Sequence, residues 1–414
     1  MVNNISSITA EHRCAGCAAC IAICPREAVR LEENHAGFYE ATVDTEICNQ
    51  CGRCRMVCPQ VSPKIGIPIR KCELFSLQSA EAETLHNCSS GGIAHELSKL
   101  ALQRNERVIG AAYDLETNRV HHIEAKNAAQ LSLLDGSKYL QSDPRKTFSA
   151  AIREAKADKE NKFIVFGTPC QIMGMAAASE SLGIREQFLL VEIFCHGVPS
   201  YRLWDETVMA VQKKLRTEQF DRVRFRYKKN DWHSYCLRID AGGKAYYGKR
   251  ETELFWQVFF ENILLNDACY NCAARKDHSC ADIRLGDYWG ARFQQRSDGV
   301  SAVFAITSQG KTAIQRLIEA ERVKLLLPGT PDEMLLTQNM EGYKQQEVHD
   351  KAMAALRMGM DIRAVVQQYR RNMTVKQTLK RALLTASVIL PDDLRAELRK
   401  QHSVRSLKKV KNHE

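Results

Sequence analysis

Two copies of one cysteine pattern begin this chain: CAGCAACIAICP at residues 14–25 and CNQCGRCRMVCP at residues 48–59. Each copy follows the spacing C-x2-C-x2-C-x3-C-P, and every cysteine recurs 34 residues later. This spacing lets three thiolates bind one [4Fe–4S] cluster while the fourth cysteine reaches the other cluster. The pattern therefore predicts one cluster on Cys14, Cys17, Cys20 and Cys58 and a second on Cys48, Cys51, Cys54 and Cys24.

Zinc also accepts four thiolates and is the alternative for each set. Two interleaved copies, each closed by a proline, favour iron–sulfur clusters, and residues 14–59 resemble bacterial-type two-cluster ferredoxins. We call residues 14–59 the ferredoxin-like segment. The chain has 16 cysteines and starts with no apolar stretch of the kind found in signal peptides, so we expect reduced thiols and a cytoplasmic location.

Composition excludes several classes of protein. With 414 residues, 44% of them hydrophobic and 26% charged, the chain suits two or three globular domains, and it has no apolar run of the length that a membrane span needs. Residues 370–414 hold 12 Lys/Arg against 4 Asp/Glu, which is +8 of the net +10. The body is thus nearly neutral, which argues against a nucleic-acid-binding protein.

The order of motifs predicts three parts. A two-cluster ferredoxin-like domain covers 1–68 and ends in the Pro-rich stretch PQVSPKIGIPIR. Residues 69–345 alternate short apolar strands with helical patterns, which is typical of a mixed α/β (α+β) domain with a mixed sheet. Residues 346–414 are predicted to be a helical, basic C-terminal tail, whose stretch 374–390 suits an amphipathic helix.

Four further cysteines follow from the strand pattern. FIVFG (163–167) and LLVEIF (189–194) read as parallel strands joined by a helix, so Cys170 and Cys195, just beyond them, should lie at one sheet edge. The pair Cys269 and Cys272 forms a C-x2-C loop. Together the four could hold a third cluster, with Cys280 as a substitute ligand. Taken singly, each cysteine could instead be a core residue, and the pair half of a zinc site or a dithiol.

The motifs GTPCQI, FCHGVPS, CYNC and ADIRLGDYWG, in this order behind the ferredoxin-like segment, resemble the family of coenzyme F-420 hydrogenase/dehydrogenase beta subunits. The resemblance covers roughly residues 10–330. It implies an iron–sulfur flavoprotein that binds FAD beside a [4Fe–4S] cluster. It also implies that Cys170, Cys195, Cys269 and Cys272 are the ligands of that cluster.

No G-x-G-x-x-G motif follows a strand, so a Rossmann nicotinamide site is not predicted. SSGG (89–92) and DGSKYLQ (135–141) could cradle phosphates, although physical reasoning alone favours an N-cap for the first and a surface turn for the second. The resemblance identifies both as flavin-binding stretches. The FAD-binding residues predicted on this basis are Ser89, Ser90, Gly91, Gly92, Ser137, Lys138, Tyr139, Gln141, Gly167, Thr168, Pro169 and Gln171. His196 and Asp287 are candidate proton donors.

These features predict an oxidoreductase that passes electrons between a ferredoxin-like donor protein, the clusters, FAD and a two-electron organic acceptor, with coenzyme F-420 as one candidate. The alternative is a non-catalytic electron-relay subunit of a larger redox complex. The basic tail is explained by an ordinary capping helix with a charged end; the functional alternative is docking to an acidic partner or an anionic membrane surface. A homo-oligomer is a further alternative.

Overall fold

The computed structural model describes residues 3–390, apart from 230, 328, 339–341 and 344, together with Leu394. The strands are β1 (Val29–Glu33), β2 (Tyr39–Val43), β3 (Ile67–Pro68), β4 (Glu73–Ser79), β5 (Arg107–Asp114), β6 (Arg119–Ala125), β7 (Ser142–Asp143), β8 (Phe163–Gly167), β9 (Phe188–Ile193), β10 (Arg222–Arg224), β11 (Cys236–Ala241), β12 (Lys244–Lys249), β13 (His278–Ser279), β14 (Ile283–Asp287), β15 (Ser301–Ala305) and β16 (Val323–Leu325). The α-helices are α1 (Ser6–Ala10), α2 (Ala19–Ile23), α3 (Arg53–Met56), α4 (Ala82–Asn87), α5 (Ile93–Gln103), α6 (Ala128–Leu134), α7 (Arg145–Ala157), α8 (Pro169–Ser181), α9 (Tyr201–Leu215), α10 (Leu254–Glu261), α11 (Asp267–Tyr270), α12 (Ser308–Glu319), α13 (Pro331–Leu335), α14 (Gln346–Arg357), α15 (Ile362–Arg371) and α16 (Val375–Ala386).

The two cysteine repeats fold alike. Gly16 and Ala18 of the first copy have φ of 65° and 57°, and the equivalent Gln50 and Gly52 of the second have φ of 54° and 77°. These left-handed residues bend the chain sharply just before α2 and α3. Between the copies, β1 and β2 form an antiparallel hairpin. The same local spacing thus produces the same coil twice.

A mixed sheet forms the centre of the larger part. Among the described residues it has nine strands in the order β16-β4-β15-β14-β9-β8-β5-β6-β7. The strands β14, β9, β8 and β5 are parallel neighbours, while β16, β4 and β15 are added antiparallel. The mixed α/β prediction is confirmed, and β8–α8–β9 is the predicted strand–helix–strand unit.

Helices cover both faces of this sheet. One face packs against α7 and α8, through side chains that include Phe148 and Ile172. The other face packs against α5 and α12, through side chains that include Leu97 and Ile314. The parallel strands at the centre of the sheet need such cover on both faces, which explains the continuous apolar runs of β8 and β9.

A second core lies beside the sheet. The antiparallel strands β10, β11 and β12 pack with α9 and α10 around Trp204, Phe225, Phe255 and Trp256, all of them buried. Gly242 and Gly243 close the β11–β12 hairpin with φ of 55° and 75°, a two-residue turn that favours glycine.

The region predicted as a tail, residues 346–414, has a packed part and an exposed part. The helices α14 and α15 bury Met353, Leu356 and Val365 in the same core as α9 and α10, so residues 346–371 belong to the body of the molecule. The reason is the apolar stripe on each helix, which is stabilised by burial against the core. Of the described residues, those from α16 onward fit the predicted tail, because α16 buries none of its side chains. Within the described part of the chain, no helix is long and apolar enough to cross a membrane.

Candidate functional site

The cysteines of the ferredoxin-like segment form two groups. Cys20 lies near Cys14 and Cys58, and Cys17 lies near Cys20 and Cys58. The other group, Cys24, Cys48, Cys51 and Cys54, lines one small cavity. The fourth cysteine of each copy therefore lies with the first three of the other copy.

Burial makes this environment unfavourable for free thiolates. It raises the pKa of Cys14 to about 11, although the backbone N–H groups of Gly16 and Ala41, each 3.4 Å from its Sγ, oppose the shift. Burial also raises the pKa of Cys17 and Cys20, and neighbouring cysteines raise it further. Clustered buried thiolates require a positive partner, and an iron–sulfur core supplies one. The donor set thus fits iron–sulfur clusters.

The ferredoxin-like segment contacts the larger part at a cysteine of each. Cys17 and Cys170, which lies in the first turn of α8, pack in the same core, and a negative charge on Cys170 would raise the pKa of Cys17. One turn further along α8, a Cβ on Gly174 would lie 2.6 Å from the Cβ of Ala19 and 3.5 Å from the Sγ of Cys17. The missing side chain at 174 therefore lets α8 lie directly against the first cysteine repeat.

Hydrogen bonds of Gln141 also join the larger part to the ferredoxin-like segment. Its Nε2 donates to the carbonyl oxygens of Ala15 and Tyr39, both at 3.1 Å, and its Oε1 accepts from the backbone N–H of Tyr39 at 2.7 Å. The amide is thus fully engaged by the ferredoxin-like segment. Gln171 is likewise occupied, since it caps α8 at Thr168 and donates to Ser142. Both glutamines thus have defined partners within the fold, and their contact with a cofactor stays a prediction.

Four cysteines of the larger part line one cavity, which we call the thiol cavity: Cys170, Cys195, Cys269 and Cys272. Because β8 and β9 are parallel neighbours, Cys170 and Cys195 emerge at the same edge of the sheet. Cys269 lies on the short helix α11, and Cys272 follows in the next loop. Burial raises the pKa of Cys195 to about 11 and also raises that of Cys170 and Cys269.

Arg275 holds the loops around the thiol cavity in place. Its backbone N–H donates to the Sγ of Cys272 at 3.2 Å, and its guanidinium donates to the carbonyl oxygens of His196 at 2.7 Å and Cys269 at 2.9 Å. Cys280, in contrast, lies beside the carbonyl oxygen of Lys64, at 3.9 Å, and does not line the thiol cavity. The structure brings the predicted quartet together and leaves Cys280 apart.

An adjoining space of about 220 Å³, which we call the aromatic cavity, shares Pro169, Cys195 and Arg275 with the thiol cavity. Its other lining residues are Tyr139, Ile193, Phe194, His196, Tyr235, Phe259, Phe260, Arg284, Gly286, Asp287, Trp289, Thr337 and Gln338. Several aromatic rings thus surround a space that reaches the sulfur of Cys195. Such a wall suits a planar, conjugated ligand.

Both candidate proton donors, His196 and Asp287, line the aromatic cavity. Burial lowers the pKa of His196 to about 4, so its ring is neutral at pH 7, and its Nε2 lies 2.6 Å from the Oδ1 of Asn262. Asp287 accepts from Arg226 at 3.1 Å through Oδ2, while its buried Oδ1 has no hydrogen-bond partner among the described residues. A buried acceptor without a donor is costly, so it favours a ligand that donates there.

The two phosphate-cradle stretches lie together. The backbone N–H of Ser137 donates to the Oγ of Ser89 at 2.8 Å, while Ser90 and Gly91 are held by Val300 and Ser301. Lys138 and Lys228 lie nearby, and burial lowers the pKa of each to about 8. Lys138 is followed by Tyr139, which reaches the aromatic cavity. The predicted residues Ser89 and Lys138 thus lie on one side of Tyr139, which reaches the aromatic cavity, while Gly167 ends β8 and Thr168 caps α8 beside the thiol cavity.

Sequence reasoning missed Arg226, Arg275 and Trp289. The Arg226 guanidinium is buried, donates to the Tyr139 hydroxyl at 3.0 Å and lies 5.3 Å from the ring centre of Trp289. The alternation of arginine with apolar residues in RVRFRY was a usable signal, since it places cations on one strand face. Arg275, a single basic residue in a loop, had none.

Comparison with known proteins identifies the two cysteine-rich parts of the chain. Residues 160–328 match the family model for the C terminus of the coenzyme F420 hydrogenase/dehydrogenase beta subunit, and residues 13–61 match the model "4Fe-4S dicluster domain". One subunit of the F(420)H(2) dehydrogenase of Methanosarcina mazei is 25% identical over 241 residues, which cover 54% of this chain and 66% of that subunit, just under two thirds. An uncharacterized protein of Methanocaldococcus jannaschii is 24% identical over 358 residues, 76% of this chain and 94% of that protein.

A solved structure, that of the F420-reducing [NiFe] hydrogenase complex from Methanosarcina barkeri, contains a similar chain at a TM-score of 0.43 and 15% identity, covering 71% of this chain and 91% of that one. The chain is an iron–sulfur redox protein that binds [4Fe–4S] clusters. Residues 160–328 thus form a domain like the C terminus of coenzyme F420 hydrogenase/dehydrogenase beta subunits, and a two-cluster ferredoxin domain precedes it, in agreement with the resemblance seen in the sequence.

Proposed function

We propose that the chain is an FAD-dependent iron–sulfur oxidoreductase that links a ferredoxin-like donor protein to a two-electron organic acceptor. The observation that carries this proposal is the continuity of three sites. Cys17 of the ferredoxin-like segment faces Cys170, Cys170 belongs to the thiol cavity, and Cys195 opens from that cavity into the aromatic cavity.

The cysteine groups supply the proposed metal ligands. Cys14, Cys17, Cys20 and Cys58 would hold one [4Fe–4S] cluster and Cys24, Cys48, Cys51 and Cys54 the second. Cys170, Cys195, Cys269 and Cys272 would hold a third. The set on Cys17 is then the one next to the third cluster. The set that includes the exposed Cys51 lies toward the donor protein.

The residues present also fit a flavin. Lys138 and Lys228, whose ammonium groups donate to backbone carbonyl oxygens of the same region, would add positive charge near its phosphates, and the aromatic cavity would receive its ring system. When bound, FAD would supply exchange of a hydride with the acceptor and of single electrons with the clusters.

The chain's own polar groups would orient the reacting partners. Asp287 would accept a hydrogen bond at Oδ1, which has no partner among the described residues, while its Oδ2 accepts from Arg226 at 3.1 Å. Because the ring of His196 is neutral at pH 7, it lacks the acidic proton of an imidazolium. We therefore assign His196 to hydrogen bonding and not to general-acid catalysis. The identity of the acceptor, with coenzyme F420 among the candidates, belongs to this proposal.

Metal analysis with a matched cysteine control tests the site. Protein purified anaerobically should approach about twelve irons and one FAD per chain, because three cubanes contain four irons each. Cys269→Ala should lower the iron toward about eight and spare the ferredoxin-type paramagnetic signals. Cys280→Ala should leave the iron unchanged. An iron content near eight in fully loaded wild-type protein would exclude the third cluster.

The electron-relay alternative is separated by activity of the chain alone. The purified protein, supplied with dithionite or a reduced bacterial-type ferredoxin, should reduce its flavin and then a soluble acceptor such as coenzyme F420. Full cofactor content without turnover of any hydride acceptor would favour a non-catalytic subunit. Loss of the flavin from otherwise iron-loaded protein would contradict the FAD assignment.

A further inference from the structure

The last described helix, α16, exposes its apolar stripe, whereas an ordinary surface helix buries it. Val375, Leu379 and Leu383 are spaced four apart, so they form one stripe, and their exposed fractions are 86%, 58% and 63%. The residues that contact the body are polar. Thr385 donates to the carbonyl oxygen of Glu251 at 3.3 Å, and Arg381 interacts electrostatically with Glu261. An amphipathic helix normally buries its apolar stripe, so this face lacks its occupant within the described residues.

The charged side chains of α16 itself are all positive. Lys376 and Lys380 follow Val375 and Leu379 by one residue and therefore border the stripe. From Ile362 to Pro391 the sequence contains six Lys/Arg and no Asp or Glu. Aliphatic side chains and ammonium groups therefore share one outward surface. A lysine can lie with its methylene chain on apolar surface while its ammonium group stays in water, so the two kinds of group are compatible there.

Three protein occupants fit this surface poorly. Cores of protein interfaces are rich in aromatic residues and methionine and poor in lysine, whereas this stripe is valine and leucine bordered by lysines. A second copy of the chain would bring two acid-free basic segments together, and like charges repel. Residues 391–414 carry seven Lys/Arg against four Asp/Glu, so they are net positive, like α16, and would be repelled from it.

We propose that α16 binds the chain peripherally to an anionic lipid surface, with Val375, Leu379 and Leu383 inserted among the lipids and Lys376 and Lys380 against the headgroups. At 12 residues the helix is far too short to span a bilayer, but it suits a position in the plane of the interface. The inference concerns where the chain operates and does not depend on its redox chemistry.

Co-sedimentation with lipid vesicles tests this proposal on the full-length, iron-loaded chain. The wild type should bind vesicles of phosphatidylcholine mixed with phosphatidylglycerol, and binding should weaken with salt and be much lower on phosphatidylcholine alone. Lys376→Gln combined with Lys380→Gln should lower the partition coefficient about 30-fold, because each cation near an anionic surface contributes about five-fold.

Two leucine variants provide the matched comparison. Leu379→Gln removes an aliphatic group from the stripe and should weaken binding more than about tenfold, whereas Leu325→Gln, at an equally exposed leucine of strand β16, should change it less than about two-fold. Iron content and circular dichroism verify that both variants fold. Absence of wild-type binding to anionic vesicles, or equal losses in the two leucine variants, would overturn the proposal. A lipid-free dimer that Leu379→Gln dissociates would also overturn it and would assign the stripe to a second copy.

Discussion

Gly174 controls how closely α8 approaches the ferredoxin-like segment, so Gly174→Ala is a sharp test of that junction. The added Cβ would lie 2.6 Å from the Cβ of Ala19, whereas two carbon atoms pack at about 3.5–4.0 Å, so the two elements must separate by roughly 1 Å. A methyl group on Ala19 is fixed to its backbone and cannot rotate away. The cost should therefore fall near the upper end of the ~1–3 kcal/mol that overpacking incurs.

The net effect includes a gain in helix propensity. Replacing a helical glycine by alanine favours the helix by about 1 kcal/mol, so we expect Gly174→Ala to lower the free energy of unfolding by about 2 kcal/mol. In a background of Ala19→Gly the opposing methyl group is gone. There the same substitution should stabilise the protein by about 1 kcal/mol, which gives a coupling energy of about 3 kcal/mol between the two positions.

Anaerobic urea titration of the four proteins in this cycle measures the coupling, with unfolding followed by tryptophan fluorescence and by visible absorbance of the clusters. Gly174→Ala should also slow reduction of the flavin by reduced ferredoxin more than its reduction by dithionite, because it displaces Cys17 from Cys170. Equal changes in unfolding midpoint in both backgrounds would refute the reasoning, since no contact between residues 19 and 174 would then be present.

Two further outcomes are expected. Cys17→Ala should remove one ferredoxin-type paramagnetic signal and abolish reduction by ferredoxin, while direct reduction of the flavin partly survives. Equal loss of both activities in protein that retains its flavin would argue against the entry of electrons through the ferredoxin-like segment. Burial lowers the pKa of His122 to about 4, and its Nε2 lies 2.9 Å from the carbonyl oxygen of Phe166, so protonation of the unfolded chain should cost stability as the pH falls from about 6.5 to about 4. Between pH 7 and pH 5 this amounts to ~2 kcal/mol, and His122→Gln should lose that much less in a urea titration, whereas an unchanged pH dependence would contradict the assignment.

Patterns that depend on neighbours in the chain could be read directly from the sequence. The cysteine repeat implied two equivalent coils because C-x2-C-x2-C spacing restricts the local backbone, and the left-handed residues at 16, 18, 50 and 52 realise it twice. The parallel pairing of β8 and β9 follows from a strand–helix–strand order. The glycine pair at 242–243 determined a hairpin for the same local reason.

Contacts between distant residues were decided by the fold. The stripe on α14 and α15 looked like part of a basic tail, since a helical pattern states that one face is apolar but not which core receives it. Gln141 was predicted to bind a cofactor, and only the fold brings its amide to Ala15 and Tyr39, more than a hundred residues away. Arg226 could be recognised as a site residue only from the fold, which brings its partners Tyr139 and Asp287 beside it.

The position of Cys17 near Cys170 shows most clearly the difference between what local sequence determines and what the fold determines. The sequence alone established that both residues are cysteines in metal-binding or strand-end patterns. Their proximity depends on packing between α2 and α8, on the missing side chain at Gly174 and on the hydrogen bonds of Gln141. Spacing along the chain determines what each segment can bind, because it acts through local backbone geometry. Which segments meet is decided by burial of apolar surface and by hydrogen bonds between distant parts of the chain, and no single stretch of sequence contains that information.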